Sequence, residues 1–535
     1  LKRPNFLFVI TDQQRADHLG CYGNRTLRTP HLDAIAARGV RMDRHYVAMP
    51  ICMPNRATIV TGRMPSAHGV RHNGIELPLE SVTLPELLAD AGWRTALVGK
   101  SHLQNFTPVA AQYGPEPPPP GARAPSPALR SARRTADDPR YRQEDVDRWA
   151  DPSFRMALPY YGFQSVDLVT RHGDRCGGDY LRWAESVEPG FAKRFVGRAN
   201  ALPAPGYATH EGWRTRVPEA LYSTTYVAER TIARLEDFAR TPEAPFFLYC
   251  SFPDPHHPWT PPGRYWDLVR PEDVALEPAY WASSAPLGVP HVDWYRAKRD
   301  AGGADDGLGI TSTYAPTERE AREAIALTYG MVTMIDDAVG RIVAALERLG
   351  LARDTVIAFT SDHGDYMGDH QLMLKSHMHY QGLVRTPFLW ADPQAPHAGT
   401  SRMQLTGAID VARTVLARAG VAPADGMQGL ALTGLVDDPS AATRDALLIE
   451  DETHRTPGWI GRRIRTRTLV TDRHRLSVYQ GLDWGELYDL HEDPHELRNL
   501  WDAPSSTALR AALSARLAQA MMDAADPLPR PTRFA

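Results

Sequence analysis

Four cysteines in 535 residues, Cys21, Cys52, Cys176 and Cys250, are too few and too scattered for a disulfide framework. Net charge is also small: 60 Lys and Arg stand against 64 Asp and Glu, and no block of basic residues offers a surface for nucleic acid or an anionic membrane. The densest basic stretch, Arg462-Arg463-Ile464-Arg465-Thr466-Arg467, is interrupted by other residues and reads as a solvated strand face. No apolar run approaches transmembrane length and nothing near Leu1 resembles a signal peptide. A cytoplasmic enzyme is expected, although the first residue is not Met and what precedes it is left open. No internal repeat is visible. What the chain does have is core material, with 43% hydrophobic and 23% charged residues, the proportions of an ordinary globular protein. Its length exceeds a typical domain but suits a large α/β enzyme.

Short continuous apolar runs recur, each followed by polar side chains. Residues 6–10 lead to Asp12 and Gln13, 95–99 to Lys100-Ser101-His102, 246–252 to a proline-rich stretch with His256 and His257, and 355–360 to Asp362 and His363. Runs of this kind fit strands of a parallel sheet covered on both faces. Ligands of open α/β sheets sit at the carboxyl ends of the strands, so Asp12 and Asp362 are candidate metal ligands by position as well as by type. The prolines around His256 stiffen the segment that carries it. Helices are predicted over 30–40, over 218–240, and from a capping box at Thr317 and Glu320 to about Leu349. The last of these carries a core stripe of Ile325, Tyr329, Val332, Ile335, Val339, Ile342 and Leu346.

Residues 105–215 change character. The segment 115–121 is dominated by proline, the stretch to Pro139 lacks periodicity, and aromatics return at 160–163 and 177–183. An inserted lid or specificity wall is expected here, with no role assigned to His172 or Asp174. From about 445 onward, short strands joined by turns predict a small antiparallel sheet, followed by a helix with Leu509, Leu513, Leu517 and Met521. The expected division is a catalytic α/β domain over 1–440, containing the insertion, and a small sheet plus helix over 441–535.

The segment Cys52-Met53-Pro54-Asn55-Arg56 precedes an apparent helix at 57–62. A lone Cys among apolar residues is more often a small buried hydrophobe than a nucleophile. A helix N-terminus, however, offers free N–H groups to an anion, and the Arg56 fork suits an anionic oxygen. Asn73, in His72-Asn73-Gly74, is a weaker candidate for a substrate-oxygen contact and otherwise a turn residue.

A Cys, a Pro two positions on, an Arg four positions on and then Thr61-Gly62-Arg63 is an order that resembles the formylglycine-dependent sulfatases. The resemblance extends to Lys100 and His102, to His256 directly after Pro255, to Lys375, and to Leu487-Tyr488-Asp489-Leu490 through Asn499-Leu500. It runs from Pro4 to about Leu500, leaving out 105–215 and much of 265–315. The fold it implies is α/β: the alkaline-phosphatase-like mixed sheet between helices, with a small C-terminal antiparallel-sheet domain. It further implies that a maturase, as a transient partner, oxidises Cys52 to formylglycine, whose hydrate attacks sulfur to give a covalent sulfo-enzyme. One divalent ion, calcium or manganese, would be held by Asp12, Gln13, Cys52, Asp362 and His363. Lys375 and His256 would serve the departing alcohol, His102 would deprotonate the second hydroxyl, and Arg56 and Lys100 would hold the hydrate and the anionic oxygens. The substrate would be a small-molecule ester and the protein a homodimer or homotetramer.

Two pairs depart from the commonest sulfatase pattern of Asp-Asp and Asp-Asn, namely Asp12-Gln13 and Asp362-His363. A neutral amide and an imidazole make the donor set less negative and softer, which favours manganese or another transition ion over calcium. The same combination resembles phosphonate monoester and phosphodiester hydrolases, the alternative activity. Lesser alternatives are a phosphotransferase or mutase of the same superfamily, and a non-catalytic binding protein in which Cys52 remains a thiol.

Overall fold

The computed structural model describes residues 3–107, 109, 117–132, 138–281, 288–302, 313–395, 397–453 and 456–533. Its centre is a nine-stranded sheet in the order Thr400–Arg402, Val40–Met42, Phe388–Ala391, Thr355–Ser361, Asn5–Thr11, Phe246–Ser251, Arg94–Gly99, Ser165–Thr170, Gly177–Gly178. The five strands from Thr355–Ser361 to Ser165–Thr170 pair in parallel. They therefore release their carboxyl ends along one edge, and the outer strands mix directions.

Asn5–Thr11 is apolar at successive positions because both of its faces are covered. Leu7 and Val9 pack with Ile325, Val332, Ile335 and Ile342 of the long helix Glu318–Arg348, with Val227 and Leu235 of Ser223–Ala239, and with Leu32 and Ile35 of Pro30–Ala37. Phe6, Phe8 and Ile10 face the other way, toward Met53, Ala57 and Val60 of Cys52–Thr61, Leu84 and Leu88 of Leu84–Asp90, and Val411 and Val415 of Val411–Ala419. The predicted core stripe of the long helix is buried throughout. Its capping box forms, with Glu320 Oε2 accepting from Thr317 N at 2.8 Å and Thr317 Oγ1 accepting from Glu320 N at 3.3 Å.

The stretch 105–215 is not a single excursion. Ser165–Thr170 is a strand of the main sheet, and the helix Asp179–Val187 packs Tyr180 and Ala184 into the same core as Leu7 and Val9. Of the proline-rich part, 110–116 and 133–137 lie outside the described residues.

The C-terminal sheet has the order Ala446–Glu452, Arg465–Thr471, His474–Tyr479, Gly485–Asp489, all antiparallel. Its register lines up Leu448, Leu469, Leu476 and Leu487 on one face, which packs on Leu513, Leu517 and Ala520 of the helix Thr507–Asp523. Met521, expected on that apolar stripe, is 44% exposed, because helical spacing after Leu513 and Leu517 brings Ala520 and Ala524 inward instead. The other face of the sheet, with Leu447, Ile449, Val470 and Tyr488, packs on Tyr46, Leu383 and Val384 of the main body. Among the described residues no helix is long and apolar enough to cross a membrane.

Candidate active site

Each of the five central strands delivers a polar side chain to the shared edge. Asp12 and Gln13 follow the first strand, Asp362 and His363 its neighbour on one side, and Asp254 and His256 its neighbour on the other. Lys100 and His102 follow the next strand out, and Arg171 and His172 the one beyond it. The register sets Thr11 beside Ser361 and Gly99 beside both Ser251 and Leu168, so the departing chains stay side by side. They remain tied beyond the strands: Asp362 N donates to Thr11 O at 3.1 Å, Asp12 N to Asp254 O at 3.1 Å, and Lys100 N to Ser251 O at 3.0 Å.

Cys52 meets this edge from the first turn of the buried helix Cys52–Thr61. Its Sγ lies 3.0 Å from Lys375 Nζ, 3.2 Å from His363 Nε2 and 3.7 Å from Asp12 Oδ1. Asn55 of the same turn fixes the helix to the edge, with Nδ2 donating to Asp362 O at 2.5 Å and Oδ1 accepting from Ala48 N at 2.9 Å. Arg56, fully buried, donates from Nε to Asp362 Oδ2 at 2.7 Å and from Nη1 to Ser251 Oγ at 2.9 Å and Lys100 O at 3.0 Å. Its Nη2 stands 3.5 Å from Asp12 Oδ2. Lys100 Nζ donates to the same Asp12 oxygen.

These cations govern the charge state of the cluster. Burial works to raise the Asp12 carboxyl, but Lys100, then His256 and Arg56, hold it well below the usual carboxylate range. Burial and Asp12 push the Cys52 thiol up; Lys100, Lys375 and His363 outweigh them, and the net shift is downward. Burial, then His172 and Lys375, keep His256 well below an ordinary imidazole.

The donor set fits a divalent ion. Asp12, Cys52, Asp362 and His363 offer ligand atoms that all lie within 4.8 Å of one another, and all four residues are buried. His363 Nδ1 faces Gly364 O at 2.8 Å, which places a hydrogen there and turns Nε2 toward the cluster. Gln13 has a buried Oε1 without a hydrogen-bond partner, the state of a group fitted to a cation. Its Nε2 is held by Asp365 Oδ2 at 2.5 Å and by His257 Nδ1 at 3.1 Å, and its backbone N donates to Asp362 Oδ1 at 3.1 Å.

Of the residues singled out in the sequence, Asp12, Cys52, Arg56, Lys100, His256, Asp362, His363 and Lys375 share one network. Lys375 Nζ completes it, 3.1 Å from His256 Nε2 and 3.0 Å from His363 Nε2. His102 stands at its margin, in a left-handed backbone conformation with φ 56°, its ring stacked on Phe106 at 4.0 Å and its Nδ1 buried without a partner. Glu144 pins that turn by accepting from the backbone N–H groups of His102, Leu103 and Gln104 at 2.9, 3.0 and 3.0 Å. Asn73 Oδ1 accepts from Met53 N, in the first turn of the helix Cys52–Thr61, at 3.0 Å. Asp174 is structural, accepting from Trp213 Nε1 at 2.8 Å and Thr215 Oγ1 at 2.9 Å. His172, given no role from sequence, is central: its Nε2 lies 2.7 Å from Lys100 Nζ.

A mixed sheet with a cluster of possible metal ligands and a basic girdle at its carboxyl edge is the alkaline-phosphatase-like architecture. The Sulfatase family model matches residues 4–421, and that of the N-sulphoglucosamine sulphohydrolase C-terminal region matches 368–523. The chain belongs to the sulfatase family, within the alkaline phosphatase superfamily. It is 26% identical to an arylsulfatase of Clostridium perfringens over 93% of this chain and 90% of that one. It is 28% identical to the multifunctional alkaline phosphatase superfamily protein PehA of Trinickia caryophylli, over 97% and 96%. Its fold is similar to the crystal structure of the phosphonate monoester hydrolase of Agrobacterium radiobacter, with a TM-score of 0.74 and 25% identity over 98% of this chain and 96% of that one.

Proposed function

We propose that the chain hydrolyses sulfate monoesters through formylglycine made from Cys52, with a divalent ion held by Asp12, Gln13, Asp362, His363 and residue 52. The observation that carries this reading is the place of Cys52 Sγ, among the possible metal ligands Asp12, Asp362 and His363 and 3.0 Å from Lys375 Nζ. When bound, the ion supplies Lewis-acid polarisation of a sulfuryl oxygen and acidifies the attacking hydroxyl. The hydrated aldehyde supplies a second hydroxyl that a thiol lacks.

The side chains around residue 52 have separable tasks. Arg56 and Lys100 offset the charge of Asp12 and Asp362 and hold oxygens on the nucleophile's side. Lys375 and His256 form the leaving-group pair. His256 Nδ1 donates to the His257 carbonyl, so Nε2 faces Lys375 as an acceptor, and the ammonium donates where the ester oxygen departs. His102 has a ring nitrogen without a partner and takes the proton of the second hydroxyl. The imidazole and the amide among the donors favour manganese or another transition ion over calcium.

Phosphonate monoesters are the second reading. It is favoured by the Asp12-Gln13 and Asp362-His363 pairs and by the structural likeness to phosphonate monoester hydrolases. Lys100 and His102, which match the sulfatase pattern, favour sulfate. The test compares kcat/KM for an aryl sulfate and an aryl phosphonate monoester, using protein produced with a maturase. The expected outcome is a larger value for the sulfate, with both activities lost in Cys52→Ala. The reverse order assigns the phosphonate activity, and hydrolysis of neither refutes both readings.

A further inference from the structure

His172 is a ring of the edge cluster for which the proposed reaction states no task. It follows the strand Ser165–Thr170, and its neighbours define it closely. The ring stacks on His256 with centroids 3.5 Å apart and planes 9° from parallel, and His256 stacks in turn on His257 at 4.1 Å and 25°. The far end of this three-imidazole stack is tied by His257 Nδ1 to Gln13 Nε2 at 3.1 Å. The near end is tied by His172 Nε2 to Lys100 Nζ at 2.7 Å, with Asp12 Oδ2 at 3.6 Å. An ammonium can only donate, so Nε2 accepts and Nδ1 carries the hydrogen. The edge of the ring rests on Phe106 at 5.8 Å, and Phe106 stacks on His102.

The geometry points to His172 as a positioning residue that touches both sides of the site: it sets the plane of His256, on the leaving-group side, by stacking, and seats the Lys100 ammonium, on the nucleophile's side, on Asp12 by accepting its hydrogen bond. This rests on the sulfate-ester reading above and deepens it. His256 makes one ring hydrogen bond to its own segment, from Nδ1 to the adjacent carbonyl. Without His172, one of the two rings stacked on it, His256 gains freedom to tilt, and its Nε2 leaves the line to Lys375. Misplacement of a catalytic group by about 1 Å costs on the order of 100-fold. That loss falls on the step in which the alcohol departs, so it grows as the leaving group becomes a poorer one.

The test is a series of aryl sulfates with leaving phenols of increasing pKa, run on protein produced with a maturase. In His172→Ala, kcat/KM falls by about 100-fold for the poorest leaving group and by less than about 10-fold for the best, so the plot of log kcat/KM against leaving-group pKa steepens. His172→Phe keeps the stack and restores the wild-type slope at a lower level, whereas His172→Gln keeps an acceptor for Lys100 and leaves the slope steep. The Phe and Gln variants carry the comparison if the Ala variant does not fold. A second reading needs no turnover: His172→Ala removes the shielding of the His256 ring protons by the ring stacked on them, whereas His172→Phe keeps those protons shielded. A parallel drop across the whole series with the wild-type slope kept, or an unmoved His256 signal in His172→Ala, overturns the inference alone. A wild-type protein that hydrolyses none of the series overturns the sulfate-ester reading and this inference with it.

Discussion

Around Cys52 Sγ the side chains compensate one another closely. Asp12 and Asp362 contribute negative charge, Arg56, Lys100 and Lys375 answer it, and all of these except Lys375 are buried. Removing either sign leaves an uncompensated charge in a medium that solvates it poorly. Glu211 shows what happens to a buried carboxyl without such partners. It is 2% exposed, its Oε1 has no hydrogen-bond partner among the described residues, and burial lifts its pKa from 4.5 to about 8 despite Arg175 and Arg198. A carboxyl whose folded pKa is raised stabilises the fold fully below its unfolded pKa and loses that contribution as pH rises through the folded value. Thermal stability is therefore expected to fall between about pH 4.5 and 8 through this group. Glu211→Gln, measured by Tm across that range, is expected to flatten the slope; an unchanged slope contradicts the assignment.

At the scale of elements, the site is a property of strand ends. Gly99 shows how close the strands must come: a Cβ there would sit 1.8 Å from Ser251 O, and the backbone is left-handed with φ 105°. Gly99→Ala thus combines a collision with a conformation costing on the order of 1–3 kcal/mol, and it displaces Lys100, the next residue. A lower urea midpoint together with reduced ester hydrolysis is expected, and an unchanged midpoint would show that the strands can part at no cost. The same geometry explains what could be read in the sequence. Asp12, Lys100, His256 and Asp362 follow unbroken apolar runs, the mark of strands covered on both faces. His172 follows Ser165–Thr170, whose run is broken by Asp167, and the strand was hidden within an apparent insertion. That Asp lies near the sheet margin, where Arg230 Nε at 3.0 Å and Arg234 Nε at 2.8 Å neutralise it. A charge paired across elements leaves no trace in local periodicity. Met521 was misplaced for a related reason: which residue of a helical stripe turns inward depends on the sheet beneath it, here the leucine row of the C-terminal sheet.

For the whole molecule, the small C-terminal sheet is more than an appendage, because it holds the loop that carries Lys375. His379 Nδ1 meets Thr468 Oγ1 at 2.8 Å, Trp459 Nε1 donates to His377 Nε2 at 3.1 Å, and Glu496 Oε2 accepts from Gln381 N at 2.8 Å. Arg475, fully buried, binds both Glu496 and Glu486, the latter at 2.9 Å, and so ties that clasp together. Arg475→Ala strands two buried carboxylates, and a loss of about 3–5 kcal/mol in urea unfolding is expected; a loss under about 1 kcal/mol would show the clasp to be dispensable. The fold class and most of the cluster were legible because each motif directly follows its own apolar run, whereas the clasp depends on contacts between segments about 80 to 115 residues apart.

Hydrolysis by the proposed route requires that residue 52 be an aldehyde. The direct measurement is the mass of the tryptic peptide 45–56 from protein produced with a maturase. The account predicts the mass of formylglycine in place of cysteine, together with adduct formation by an aldehyde-specific hydrazine. An intact cysteine in fully folded protein under those conditions would contradict it.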